Sequence, residues 1–320
     1  MSLSVRGIAL LGAVLLLGVP ACGDDSTGPA AAAELIVANY SANSITVYAA
    51  TAEGDAAPLR TIIGAATTLN TPQGLALDRA RGELYVANRG AGSVLVFNVS
   101  DDGDVAPKRT IAGASTGLGT RYDIAFDAGN DEVVVSVGGA IRVFAQTANG
   151  DVAPIRSITG AATDIEGPQG LSLNPTHGEF IIADVTDDAV HAYARTAEGD
   201  QAPLRTLQGA ATMLGDPAEV VTDVVNNEMF VASFAGSIDV FSRTATGDVA
   251  PIRSIAGAAT TLVNPYGVAV DAARNEIVVV DYATSAIRFY GRTANGDVAP
   301  LRSITGAATG LTGPSRIILR

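Results

Sequence analysis

The chain holds few reactive side chains: one cysteine, Cys22, and two histidines, His177 and His191, among 320 residues. A single cysteine excludes an intramolecular disulfide and a Cys-rich zinc site, and two histidines do not make a His-rich one. His177 falls in a Pro-Thr-His-Gly turn, where solvent is the expected neighbour. Neither histidine has a partner at nucleophile spacing, so a serine hydrolase with its strained elbow is not expected. Oxygen chemistry remains. There are 33 Asp and Glu against 20 Lys and Arg, a formal net charge of −13. That balance opposes nucleic acid, because a phosphate backbone needs clustered Lys and Arg. Carboxylates that converge can hold a hard cation such as Ca2+ or Mg2+, and convergent aromatics with a few polar groups can hold a ligand. Which side chains converge depends on the elements that carry them.

After residue 33 the sequence repeats. Asp55, Asp104, Asp151, Asp200, Asp248 and Asp297 each follow a glycine, at intervals of 47 to 49 residues. Pro-x-Arg comes next each time, ending at Arg60, Arg109, Arg156, Arg205, Arg253 and Arg302. A period of this size marks a repeat architecture. Each unit contains four short β-branched or aromatic runs separated by Gly, Asn, Asp and Pro. In the second unit they are residues 74–78, 83–88, 93–97 and 108–112. No stretch beyond residue 33 keeps an apolar 3.6-residue period long enough for a helix. Four strands repeated radially make a β-propeller blade. Residues 34–39 read as the second strand of a unit and 315–320 as a lone first strand. A solenoid would need only caps at its ends; a propeller uses the last strand to complete the N-terminal blade. The expected fold is all-β: a six-bladed β-propeller over 34–320 with four-stranded blades, its ring closed by the C-terminal strand pairing with the N-terminal blade.

The repeats supply their own control. A residue present in all six units belongs to the frame. By that rule the Asp and Arg of the Gly-Asp…Pro-x-Arg arm cap a turn and form an intra-blade ion pair. The third-strand aromatics Tyr48, Phe97, Phe144, Tyr193, Phe241 and Tyr290 fill the space between blades. The position of His191 holds Thr46, Leu95, Arg142, Asp239 and Arg288 elsewhere, and that variability predicts a solvent-facing site. Residues outside the sixfold pattern gather where the chain enters the first strand and leaves the second, on one rim of the disc. Tyr122, Tyr266, Asp123, Glu219 and Arg316 are at entering positions; Tyr40, Asp184, Phe234, Asp281 and Tyr282 are at leaving ones. Without Tyr122, these are the candidate ligand-binding residues. In an alternative reading, Asp123, Asp184, Glu219, Asp281 and Asn39 offer hard oxygens to a divalent cation at the channel mouth.

The run Pro72-Gln73-Gly74-Leu75-Ala76-Leu77-Asp78, with Leu84 to Asn88 and Val94 to Phe97, resembles the NHL repeat. Pro265 to Asp271 with Ile277 to Asp281 is similar to it as well. The likeness implies a six-bladed propeller of the lactonase/NHL group, which includes protein-binding scaffolds, lactonases and lyases. The zinc-binding histidines of its amidating-lyase relatives have no counterpart here, and the long Gly-Asp-x-Ala-Pro-x-Arg arm departs from the minimal NHL pattern.

At the N-terminus, Arg6 precedes an unbroken apolar run of 15 residues, Gly7 to Ala21. A membrane-spanning helix needs roughly 20, so the run reads as the h-region of a signal peptide covering 1–21. It ends in Val19-Pro20-Ala21-Cys22, which resembles the bacterial lipoprotein lipobox and implies lipidation at Cys22. Two acyl chains on that cysteine would anchor the protein stably to a membrane, with residues 22–33 as a flexible tether. The combined expectation is a lipid-anchored cell-envelope protein, at the outer membrane or cell surface. Its rim binds a protein, peptide or glycan without a cofactor; the alternative is a lactonase- or lyase-like enzyme that uses a divalent cation.

Overall fold

Short β-branched runs become strands here, because Gly, Asn, Asp and Pro stop each one after three to seven residues. The computed structural model describes Met1 and residues 33–119 and 123–320; Cys22, Tyr122 and, apart from Met1 and Ala33, the expected signal peptide and tether lie outside the described residues. Blade 2 shows the unit. Strands Pro72–Asp78, Glu83–Asn88, Ser93–Asn98 and Arg109–Ile111 pair antiparallel in that order. Blades 3 to 6 repeat this plan from Ile124, Pro168, Pro217 and Pro265, and the first strands of neighbouring blades touch around the axis. Blade 1 is composite. Glu34–Asn39, Ser44–Ala49 and Arg60–Ile62 supply three strands, and Pro314–Leu319 supplies the innermost. It runs antiparallel to the first of them, with Leu35 opposite Leu319, Ile36 opposite Ile318 and Val37 opposite Ile317. The all-β, six-bladed ring closes as the sequence implies.

Apolar cores fill the seams between blades. Tyr85, Val94 and Val96 of blade 2 pack with Val133, Val135 and Phe144 of blade 3. The closing seam is built alike, from Val278, Val280 and Phe289 of blade 6 with Leu35, Val37 and Tyr48 of blade 1. The six third-strand aromatics are buried, and the Tyr48 hydroxyl donates to the Thr309 carbonyl at 2.6 Å. Because a neighbour covers each face of a blade, alternation along a strand does not sort inside from outside. The expected solvent-facing position is therefore wrong: His191, Thr46, Leu95 and Asp239 are all about 1% exposed. His191 Nδ1 lies 3.0 Å from Thr206 Oγ1.

The long arms bind blade to blade. Each arm lies back against the outer strand of the preceding blade, with Gly103 N–H on the Thr61 carbonyl at 2.8 Å and Ile63 N–H on the Gly103 carbonyl at 3.1 Å. The same parallel bridge occurs at every seam, including Gly54 with Ile304 between blades 1 and 6. Outer edges that could pair with another molecule are thereby covered. The arm's aspartate then caps the neighbour's short 3-10 turn: Asp104 Oδ1 accepts the Ala66 N–H at 2.7 Å, and Asp55 accepts that of Ala308 across the closing seam. A glycine makes the approach possible, since a Cβ on Gly64 (φ 128°) would sit 2.3 Å from the Asp104 carboxyl carbon. The expected intra-blade pair exists with a different acid. Arg60 grips Glu34 through two hydrogen bonds of 2.8 and 3.0 Å and reaches the Val99 carbonyl of the next blade. Glu83, Glu132, Glu179 and Glu228 do the same for Arg109, Arg156, Arg205 and Arg253, while Glu276 accepts a single hydrogen bond of 2.7 Å from Arg302. Bidentate guanidinium–carboxylate pairs of this kind fix geometry as well as charge.

Candidate functional site

The channel mouth is shaped by β-bulges. In five blades the innermost strand slips by one residue against its neighbour, at Ser315, Gln73, Gln169, Ala218 and Tyr266. A bulge re-aims the residue it carries. Directly after these five positions come Arg316, Gly74, Gly170, Glu219 and Gly267, and with Asp123 at the corresponding place in blade 3 glycine alternates with charge around the ring. The glycines vacate the space the charges occupy. A Cβ on Gly74 would lie 2.6 Å from Asp123 Oδ1, and one on Gly170 would lie 2.7 Å from Glu219 Cα.

Arg316 plugs the axis. Its Nη1 donates to the carbonyls of Tyr266 and Ser315 at 3.0 and 3.1 Å, and its Nη2 to those of Gln169 and Ala218 at 2.5 and 3.1 Å. Nε lies 2.5 Å from Glu219 Oε2 and 3.2 Å from Asp123 Oδ2. One side chain on the closing strand thus meets blades 3, 4, 5 and 6. Asp123 also accepts the Leu171 N–H at 2.9 Å, and Glu219 accepts the Val220 N–H at 3.0 Å. Two buried carboxylates share one guanidinium, so burial pushes both acids up, Glu219 well above the ordinary carboxylate range, while the Arg316 charge opposes it.

The candidate rim therefore divides. Asp123, Glu219 and Arg316 come together, but as a buried plug rather than an exposed face. Asp184 and Asp281 are fully buried and hold the loops that lead into the innermost strands of their own blades. Asp184 accepts N–H groups from Glu166, Gly167 and Thr186, and Asp281 accepts those of Val263, Asn264 and Thr284. Asn39 takes the Thr312 N–H in the same way. The five oxygens expected to gather around a cation are each engaged elsewhere. Among the described residues, Asp184, Asp187 and His191 bring one ligand atom each within 4.8 Å of one another. Both Asp184 oxygens are already spent on backbone donors. The string Gly113-Ala114-Ser115-Thr116-Gly117 spells a nucleophile elbow, yet it spans one of the recurrent 3-10 turns, with the Ser115 N–H on Asp151.

The aromatics form an arc over blades 5, 6 and 1. Ring centroids are 4.8 Å apart for Phe234 and Tyr266, 5.8 Å for Tyr266 and Tyr282, and 6.2 Å for Tyr282 and Tyr40. Tyr266 is not the exposed ring the sequence suggests. It is buried, takes a hydrogen bond from the Gln169 amide, and has the Arg316 guanidinium carbon 5.4 Å from its ring centre. Tyr40, Tyr266, Tyr282 and Arg89 line a pocket of about 140 Å3. Arg89 occupies the same repeat position as Tyr40, Phe234 and Tyr282, although it is neither aromatic nor acidic. Its Nη1 donates to the Tyr40 hydroxyl at 2.9 Å. In blade 2 the bulge residue Gln73 is fully buried, with neither amide atom hydrogen-bonded among the described residues.

No protein-family model and no curated protein matches the chain. Solved structures do. A chain in the crystal structure of a nidogen/laminin complex superposes with a TM-score of 0.65 at 13% identity, over 90% of this chain and 98% of its own length. The WD40 β-propeller domain of Doa1 gives 0.58 at 9% identity, over 86% and 79%. The likeness is one of fold.

Proposed function

We propose that the protein is a binding module of the bacterial cell envelope, taking a protein, peptide or glycan ligand at the pocket over the channel mouth. The pocket lined by Tyr40, Arg89, Tyr266 and Tyr282 carries the reading. Tyrosine walls give contact area at little entropic cost, and a single cation can orient what they hold. The NHL-like pattern supports a scaffold role. A cation-dependent lactonase or lyase is less well supported, because the mouth's carboxylates are engaged by Arg316 and by backbone N–H groups.

Glycan and peptide arrays test this. The Tyr282→Ala variant is expected to lose about 1 kcal/mol or more of affinity for whatever the wild type retains, with a nearly unchanged melting temperature. Tyr48→Ala, a frame residue, should instead destabilise by about 3–5 kcal/mol. Identical array profiles for wild type and Tyr282→Ala would remove the pocket as the binding site.

The location rests on the lipobox-like segment ending at Cys22, which implies attachment at the outer membrane or cell surface by acyl chains. Radiolabelled palmitate should enter the wild type, while Cys22→Ser should stay unlabelled and become soluble. Equal labelling of both would overturn the anchoring.

A further inference from the structure

The structure assigns the pocket at the channel mouth a ligand class: we infer that it selects a carboxylate carried on a six-membered ring, with Arg89 as the anion-binding group. This rests on the reading of that pocket as the ligand site. The argument begins with charge. The protein carries a formal net charge of −13, yet among the described residues the pocket's lining comprises three phenols and one guanidinium, with no carboxylate. The acid nearest in sequence, Asp281, is turned inward onto the backbone N–H groups of Val263 and Asn264. Most arginines of the frame are tied to Asp or Glu; the side-chain partner of Arg89 is the Tyr40 hydroxyl. An arginine that has no carboxylate partner among the described residues, in so acidic a protein, is a selective site for an anion.

Geometry narrows the anion. Nη1 of Arg89 is committed to Tyr40, which leaves Nε and Nη2, the side-on edge of the guanidinium. Two parallel N–H groups match the two oxygens of a carboxylate. The remaining wall is aromatic. Tyr40 meets Tyr282 edge-to-face at 69°, and Tyr282 is tilted 42° to Tyr266, so the rings form a curved apolar surface rather than a closed stack. Such a surface receives the C–H face of a sugar ring or the edge of an aromatic acid. At about 140 Å3 the pocket is well below the size of drug-sized sites. It suits one ring.

The experiment is calorimetric titration of the full chain with sodium glucuronate, sodium benzoate and neutral glucose. Ring carboxylates should bind at least about tenfold more tightly than glucose, the factor one charge-assisted hydrogen-bonded contact supplies. Arg89→Gln should erase that preference without lowering the melting temperature, and Arg89→Lys should keep part of it as a point charge. Tighter binding of glucuronate than benzoate would identify an acidic sugar, and the reverse an aromatic acid. Glucose binding as well as glucuronate, or an unchanged ratio in Arg89→Gln, overturns the inference. If Tyr282→Ala then still abolishes glucose binding, the pocket remains the ligand site without its charge selectivity. Failure of both carboxylates to bind also overturns it, and the array comparison with Tyr282→Ala independently decides whether the pocket binds anything.

Discussion

Removal of residues 315–320 is expected to yield a chain that aggregates, or melts far below the full-length protein. The deletion strips the inner strand from blade 1, so the backbone groups of Leu35, Ile36 and Val37 lose their partners beside two apolar seams. Unpaired N–H and C=O groups on a buried strand are costly, and an open apolar edge invites pairing with another molecule. The cut also withdraws Arg316, leaving Asp123 and Glu219 without their guanidinium. Thermal melting with size-exclusion chromatography is the check. A truncated monomer that melts with the full-length protein would mean the ring is not held shut by this strand.

Substitution of Arg316 alone should have the second largest effect. Breaking a buried ion pair from one side typically costs about 3–5 kcal/mol, because the partner charge stays buried. Arg316→Met leaves two carboxylates facing each other on the axis, and its deficit should depend on pH. Burial already raises the folded-state pKa of Asp123 and Glu219 above their unfolded values. For an acid raised in this way, the folded chain binds the extra proton. The associated stability is fully present below the unfolded pKa and is lost as pH rises through the folded one. Without the opposing Arg316 charge both acids move higher still, so denaturant titrations should find a larger deficit at about pH 8 than at about pH 5. Adding Glu219→Gln to Arg316→Met should recover part of the loss at the higher pH. A deficit independent of pH would show that neutralising these carboxylates is not what Arg316 does.

The frame was legible because six copies of the same solution sit side by side in one chain. Asp104 and Arg109 each recur sixfold, and that alone separates scaffold from variation. Direction was harder to read. Repetition says that an Arg needs a partner but does not name it, although Glu34, Glu83 and their four counterparts recur as faithfully as the arginines do. Variability among the repeats also misleads where both faces of a sheet are covered, and so His191 is buried rather than solvated. At the mouth, the sequence places Asp123, Glu219 and Arg316 at one level correctly. A bulge, however, decides whether a side chain points outward or along the axis, and no residue type announces it. The alternation of Gly74, Gly170 and Gly267 with those three charges is the signal that could have identified a packed plug. Arg89 is legible only once Tyr40, Phe234 and Tyr282 are seen to share its position.

The one-way arms carry a consequence for how the protein comes apart. Every blade rests a strand segment and an aspartate on its predecessor, and the sequence of clasps returns to its origin at Gly54 and Asp55. A linear array of repeats frays from its terminal units, since those have a neighbour on one side only. Here no unit is terminal. Loosening any blade uncovers the flank of the one before it, and loosening blade 1 also withdraws Arg316 from blades 3 to 6, so partial opening finds no inexpensive place to start. The six units should behave thermodynamically as one cooperative body rather than as six small domains.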